Sequence, residues 1–188
     1  MPARLFALLA LLSPALSFAD TWDFDYLDIG YASQNDPDAD GFGLTASYRF
    51  HGDFFAEASY AELSLGSDSL IDADASVLAA GVGFVIGENE TASFSFKLAF
   101  VDAQEEVETG LVIDETGYRA GFGVRMNTGD RSELSLDVAY QDLDIVDGVL
   151  YRGQLVFDFT EPVSGVLTLG GDNLGDSTFF GAGIRINF

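Results

Sequence analysis

The chain has 188 residues, a formal net charge of −23, no cysteine and a hydrophobic fraction of 48%. This balance excludes a nucleic-acid binder, since phosphates would be repelled, and it excludes a disulfide framework. It also excludes disorder, which pairs high charge with low hydrophobicity; here both are high, so the two are segregated in space.

The first element is a leader. Arg4 supplies a positive start, Leu5 to Leu12 is an unbroken apolar run, and Ser17-Phe18-Ala19 places small residues at the positions a signal peptidase reads. Residues 1–19 are predicted to be a secretory signal peptide cleaved after Ala19, too short to span a membrane. The mature domain, residues 20–188, keeps every acidic residue and loses Arg4. Its longest apolar run, Val77 to Gly87, is 11 residues with glycines inside it. A membrane helix needs about twenty residues, so any crossing is made by strands.

From there the period is two. Strands are predicted near 22–34, 40–50, 54–65, 74–86, 91–103, 116–126, 132–141, 149–159, 163–171 and 178–188. One parity is apolar, as in Phe42, Leu44, Ala46, Tyr48 and Phe50, or Phe94, Phe96, Leu98 and Phe100. The other is small or charged, as in Gly43, Thr45, Ser47 and Arg49. In the first strand the apolar parity switches between Tyr26 and Leu27, which predicts a bulge. The ninth is glycine-rich around Gly165; if these two segments do not pair, the count is eight rather than ten. Gly-X-Gly recurs at 41–43, 81–83, 121–123 and 181–183. No helix follows any of them, so they read as inward glycines of curved strands rather than phosphate loops.

The breaks alternate. Tight ones at 51–53, 87–90, 127–130 and 160–162 carry Gly, Asn, Asp or Pro, the residues of short hairpins. Longer acidic ones fall at 36–40, 66–74, 104–115, 141–148 and 172–176. Short turns at one end and longer loops at the other predict a closed antiparallel up-and-down transmembrane β-barrel of about ten strands.

Lipid is expected to meet the apolar parity. Tyr31, Tyr118, Tyr140 and Tyr151 lie on it towards the loop end and Tyr48 towards the turn end, the levels of aromatic girdles. Arg49, Lys97, Arg119, Arg125, Arg152 and Arg185 lie on the opposite parity. The interior is therefore expected to hold a charge network of these six with Glu57, Glu133, Asp137 and Asp158. Counting across the turns sets Arg125 against Glu133, Asp137 diagonal to Arg119, and Arg49 near Glu57. Confined charges cost several kcal/mol unless paired. An eight-stranded barrel is just filled by its side chains, and about sixteen strands make an open pore.

The chain ends on GAGIRINF, with Ile184, Ile186 and Phe188 on the apolar parity to the last residue. This ending resembles the carboxy-terminal signal read by the barrel-assembly machinery of bacterial outer membranes. With the leader and the hairpin pattern, the mature chain resembles the small outer-membrane β-barrels, such as the opacity-type and OmpX-like proteins. The resemblance implies the outer membrane, periplasmic termini, assembly by that machinery, and outer-membrane lipid and lipopolysaccharide as surroundings. It leaves activity open, because the class includes adhesins, stabilisers, small channels and enzymes.

Two motifs bear on chemistry. Asp36, Asp38, Asp40 and Gly41 match the opening of a calcium loop, while the twelfth position is Ser47 in place of the bidentate Glu. Calcium is the one ion this pattern suggests, and no other cofactor is expected. His51, the only histidine, sits in a tight turn beside Asp53, a turn pattern rather than a general-base dyad. The expected role is non-enzymatic, a structural or surface-interaction barrel with an ion-paired, largely plugged lumen. The alternatives are a narrow channel for small cationic solutes and, third, an outer-membrane enzyme.

Overall fold

The computed structural model describes residues 24–35, 38–65, 73–107, 111–144, 147–173 and 177–188. The expected signal peptide, Trp22 and Asp36 lie outside the described residues. Ten strands follow in chain order: β1 (Tyr26–Asn35), β2 (Ala39–His51), β3 (Phe54–Leu65), β4 (Ala73–Glu88), β5 (Ala92–Val107), β6 (Leu111–Gly129), β7 (Ser132–Leu143), β8 (Asp147–Thr160), β9 (Val163–Asp172) and β10 (Thr178–Asn187). Each pairs antiparallel with its neighbours in sequence, and β1 pairs with β10 from Tyr26–Asn187 to Asn35–Thr178, closing the barrel. The count is ten, and both strands in doubt are fully paired. Closure satisfies every strand edge, which hydrocarbon demands.

The faces sort as the alternation predicts. Ile29, Leu44, Leu78, Val82, Leu98, Phe122, Leu136, Leu167 and Ile184 all point outward and are exposed. Tyr31, Tyr118, Tyr140 and Tyr151 ring this band towards the loops, joined by Tyr60 on β3, and Tyr48 marks the turn end. Ile184, Ile186 and Phe188 are likewise outward and exposed. The chain end stays bonded, with the Phe188 amide donating to the Asp25 carbonyl at 3.1 Å and the Asn187 amide to the Pro162 carbonyl at 3.0 Å.

Two expectations are corrected. There is no bulge between Tyr26 and Leu27, since the register of β1 runs unbroken against both β2 and β10. Tyr26 instead points into the lumen and is buried, as is Phe24. The register shifts fall elsewhere, at Arg49/His51, Val85/Gly87, Asn127/Gly129 and Asp158/Thr160. All four sit near the ends of β2, β4, β6 and β8, just before a tight turn, where an extra residue sharpens the local twist. The second correction is the acidic stretch 104–115, expected as loop. Most of it is strand, with Gln104 opposite Asp114 and Glu106 opposite Val112. Its alternation survives the acidity, because Glu105, Ile113 and Glu115 face in while Gln104, Glu106 and Val112 face out.

The wall is tightly coiled at the inward glycines. A Cβ on Gly81 would stand 2.1 Å from the Leu98 carbonyl oxygen, a backbone atom that cannot rotate away. Gly87, by contrast, has open space around it. Gly81→Ala is expected to lower stability by about 1–3 kcal/mol, the usual cost of overpacking, and Gly87→Ala to leave it unchanged. Urea titration of the refolded barrel, followed by circular dichroism, checks both.

Candidate functional site in the barrel lumen

The inward side chains of the ten strands sort into three tiers along the lumen. At the end with the tight turns, Phe24 and Phe55 pack with ring centroids 4.4 Å apart beside Val85. Two guanidinium groups close on the Phe24 ring, Arg49 at 4.6 Å and Arg125 at 5.4 Å from its centroid. A cation over an aromatic face gains about 0.5–2 kcal/mol. Each arginine also meets a carboxylate: Arg49 Nη2 lies 3.0 Å from Glu88 Oε2, and Arg125 Nε 3.2 Å from Glu133 Oε1.

The middle tier is built on two clusters. Arg185 donates from Nε and Nη2 to the two oxygens of Asp28, both at 2.8 Å, and more weakly to Gln154 Oε1 at 3.3 Å. Its guanidinium lies 4.5 Å over the Tyr26 ring, and the Tyr26 hydroxyl donates to Glu57 Oε2 at 3.4 Å. In the second cluster, Asp137 receives Lys97 Nζ at 2.9 Å and Arg152 Nη2 at 3.6 Å. Arg119 donates from Nε to Gln141 Oε1 at 2.9 Å and from Nη2 to the same oxygen.

The upper tier is apolar. Ala39, Ala61, Leu63, Ala73, Ala75, Val77, Ala79, Val101, Ala103 and Leu143 form one buried cluster, with Ile113 packed against it. Glu105 and Glu115 border this layer, each 1% exposed, and both oxygens of each have no hydrogen-bond partner.

Among the described residues, two cavities lie between the tiers. One, of about 70 Å³, is bordered by Glu57, Lys97, Arg119, Asp137 and Arg152. The other, of about 90 Å³, is bordered by Asp28, Gln34, Thr45, Thr168 and the inward glycines of β1, β2 and β10. Phe179 borders both. Its ring occupies the space a Cβ on Gly170 would take, 2.5 Å away.

All ten charges expected inside lie on the inward parity. The expected Arg125–Glu133 pair forms, as a diagonal contact, while the other partners differ from those counted across the turns. The Asn127/Gly129 shift sets Arg125 opposite Ser135 and Asp137 opposite Gly123. Asp137 therefore meets Lys97 and Arg152, and Arg119 meets a glutamine. The Arg49/His51 shift sets Arg49 opposite Phe55, and its carboxylate is Glu88. Glu88 faces Ser93, an inward residue, because of the Val85/Gly87 shift. Asp158 accepts the Ser164 hydroxyl at 2.7 Å. Phe24, Tyr26, Asp28, Glu88 and Phe179 are additions; of these, Asp28 was on the page as an acid two residues from the supposed bulge.

The outer rim carries a second set. The tyrosine hydroxyls donate to carboxylates, Tyr31 to Asp40, Tyr60 to Glu62 at 3.2 Å and Tyr140 to Asp147 at 2.8 Å. Asp38 and Asp40 are exposed, while Ser47 is buried in β2. No group of three or more metal-ligating side chains is placed to hold an ion among the described residues. His51 is exposed at the turn between β2 and β3.

An apolar exterior, aromatic girdles, ten closed strands and a charged interior define a small outer-membrane β-barrel. Solved structures of that class share the fold. The NanC porin aligns at a TM-score of 0.54 with 9% identity, over 86% of this chain and 100% of that chain. The KdgM porin aligns at 0.51 with 11% identity, over 87% and 99%. Ail, the attachment invasion locus protein of Yersinia pestis, aligns at 0.46 with 21% identity, over 87% and 99%. At these identities the likeness is one of fold. No protein-family model and no curated protein matches the sequence.

Asp28→Asn leaves Arg185, 0% exposed, without its carboxylate. A buried pair broken on one side costs about 3–5 kcal/mol, and the double variant Asp28→Asn/Arg185→Gln is expected to lose less. A double-mutant cycle in urea measures the difference. Glu115→Met, which replaces an unpartnered carboxylate beside an apolar layer, is expected to gain about 1–3 kcal/mol in the same titration.

Proposed function

We propose that the protein is a non-enzymatic outer-membrane barrel with a structural or surface-interaction role, its lumen shut by its own side chains. The observation that supports this reading is the stack of inward side chains that crosses the lumen. An aromatic pair clamped by arginines lies below, ion pairs lie in the middle and an apolar layer lies above. Among the described residues, two pockets of about 70 and 90 Å³ remain between these layers, with room for water. Insertion rests on the outward Phe188 and its apolar row, which the barrel-assembly machinery would read. The exposed acids above the tyrosine girdle would then meet lipopolysaccharide. Asp38 and Asp40, with Asp36, are the place where calcium would join that contact.

The second reading is a narrow channel, favoured by the inward glycines that thin the wall. Single-channel recording in a planar bilayer separates the two. With insertion confirmed by protease protection, the wild-type protein is expected to be silent. Discrete conductance steps that grow on Arg125→Gln or Arg152→Gln would replace the closed barrel with a channel gated by its ion pairs.

A further inference from the structure

Three neighbouring strands leave one part of the lumen wall almost without side chains. On β1, β2 and β10 the inward positions pair row by row, with Gly43, Gly30 and Gly183 in one row and Gly41, Ala32 and Gly181 in the next. The row towards the tight turns holds Thr45, Asp28 and Arg185, and the row towards the loops holds Ala39, Gln34 and Phe179. At a rise of about 3.4 Å per residue and a strand spacing of about 4.8 Å, the bare patch lies between rows ~20 Å apart and is ~10 Å wide. All six of its residues border the second cavity.

Tight coiling accounts for only part of this patch. A Cβ on Gly41 would stand 1.9 Å from the Glu62 carbonyl oxygen, and one on Gly183 2.6 Å from that of Ile29. A Cβ on Gly30 or Gly181 would come no closer to the wall than 3.2 Å, to the Ala182 and Tyr31 oxygens respectively. A small shift relieves such a contact, so the wall itself does not demand glycine at these two positions. Glycine weakens a strand, and it marks places where a ligand approaches the backbone closely.

The ends of the patch carry unused hydrogen-bonding groups. Gln34 is 2% exposed and neither polar atom of its carboxamide has a partner; Thr45 is 0% exposed and its hydroxyl has none. Both border the cavity. A buried polar group left unpaired is costly. The charge at this edge is already matched, since Asp28 takes the Arg185 fork on both oxygens at 2.8 Å. Leu63, Val166 and Phe179 give the cavity apolar sides. Apolar walls with a few convergent polar groups are the usual make-up of a small-molecule site. The floor itself presents peptide faces and Cα–H groups, because the strand ladders use its amides and carbonyls. A flat ring suits that surface. A carboxamide both donates and accepts, so it suits a hydroxyl or an amide.

We propose that this glycine floor is a binding site for an uncharged, flat, ring-bearing molecule that carries a hydroxyl or amide group. The ring lies over Gly30 and Gly181, and its polar group bonds the Gln34 carboxamide. The site does not depend on whether the lumen conducts, because its readouts are heat and scattering, not current.

The test uses the full refolded barrel. Titration calorimetry with naphthol should show saturable binding, and naphthoate, of the same shape but charged, should not bind. Crystals of barrel refolded with bromonaphthol should show one anomalous peak over Gly30 and Gly181. Gln34→Leu should weaken naphthol binding by about tenfold, the worth of one hydrogen bond, and should fold no less stably, since it removes an unpartnered amide. Gly30→Leu covers the floor and should abolish binding. The two variants act by different routes, so either one decides if the other does not fold. Heat that is unchanged in both reports uptake by the detergent micelle and overturns the assignment. Equal binding of naphthoate, or a map with only water on Gln34 and Thr45, overturns it too. A peak at the crystal concentration only, with no heat in solution, does the same.

Discussion

A strand in hydrocarbon has no water to take up its free amides and carbonyls, so the two ends of a sheet must find each other. Here they are β1 and β10, and their seam runs over ten residue pairs. The seam is fastened in the lumen by Arg185 and Asp28, partners 157 residues apart in sequence. A fork of two parallel bonds fixes geometry as well as charge. A shift of one residue in this register would turn Asp28 to lipid and Ile29 to the lumen. The pair thus specifies closure in the correct register, and everything inside the barrel presupposes that closure.

Once the wall is closed and greasy outside, charge can go only inward or to the ends. Six of the seven basic residues among the described residues point inward; Arg131 is exposed at the turn between β6 and β7. Confinement explains the architecture of the interior. Each cation needs an acceptor within reach of a fixed wall, so the carboxylates come from other strands: Glu88 on β4 for Arg49 on β2, and Asp137 on β7 for Lys97 on β5. Aromatic faces supply what carboxylates do not, as Phe24 does for Arg49 and Arg125. The uncharged upper tier is the other solution to the same problem. Its alanines and valines need no partner.

The fold was legible because one signal, the two-residue period, repeats ten times and is enforced by lipid on one side. Residues such as Phe42 and Leu44 have no alternative placement once the wall is a membrane wall. Even β5 and β6, whose ends carry acids, obey it through Val112 and Ile113. What failed to read was whatever departs from polar-inside. Phe24 and Tyr26 are aromatics that face in, so a parity rule took them for a bulge. The alanines of β4 read as merely small, though they form the upper plug. Apart from Arg125 and Glu133, the ion-pair partners were hidden by the four register shifts before the tight turns. Each moves the opposing residue along by one or two positions, and a turn sequence alone does not disclose it.

Net charge is the clearest case of a correct number with the wrong spatial meaning. A value of −23 suggests an interior that attracts cations. The structure divides that number into regions. Many of the acids lie on the exposed rim, where Asp40, Glu62, Asp74, Asp142 and Asp147 stand outside the wall. The basic residues are concentrated in the lumen. Around the first cavity the sign even reverses, with three cations against two carboxylates. Field lines in a narrow, low-dielectric enclosure follow the nearest charges, so the rim acids count for little at that depth. A solute entering this barrel would meet acids at the mouth, an uncharged layer beneath, and a cationic centre.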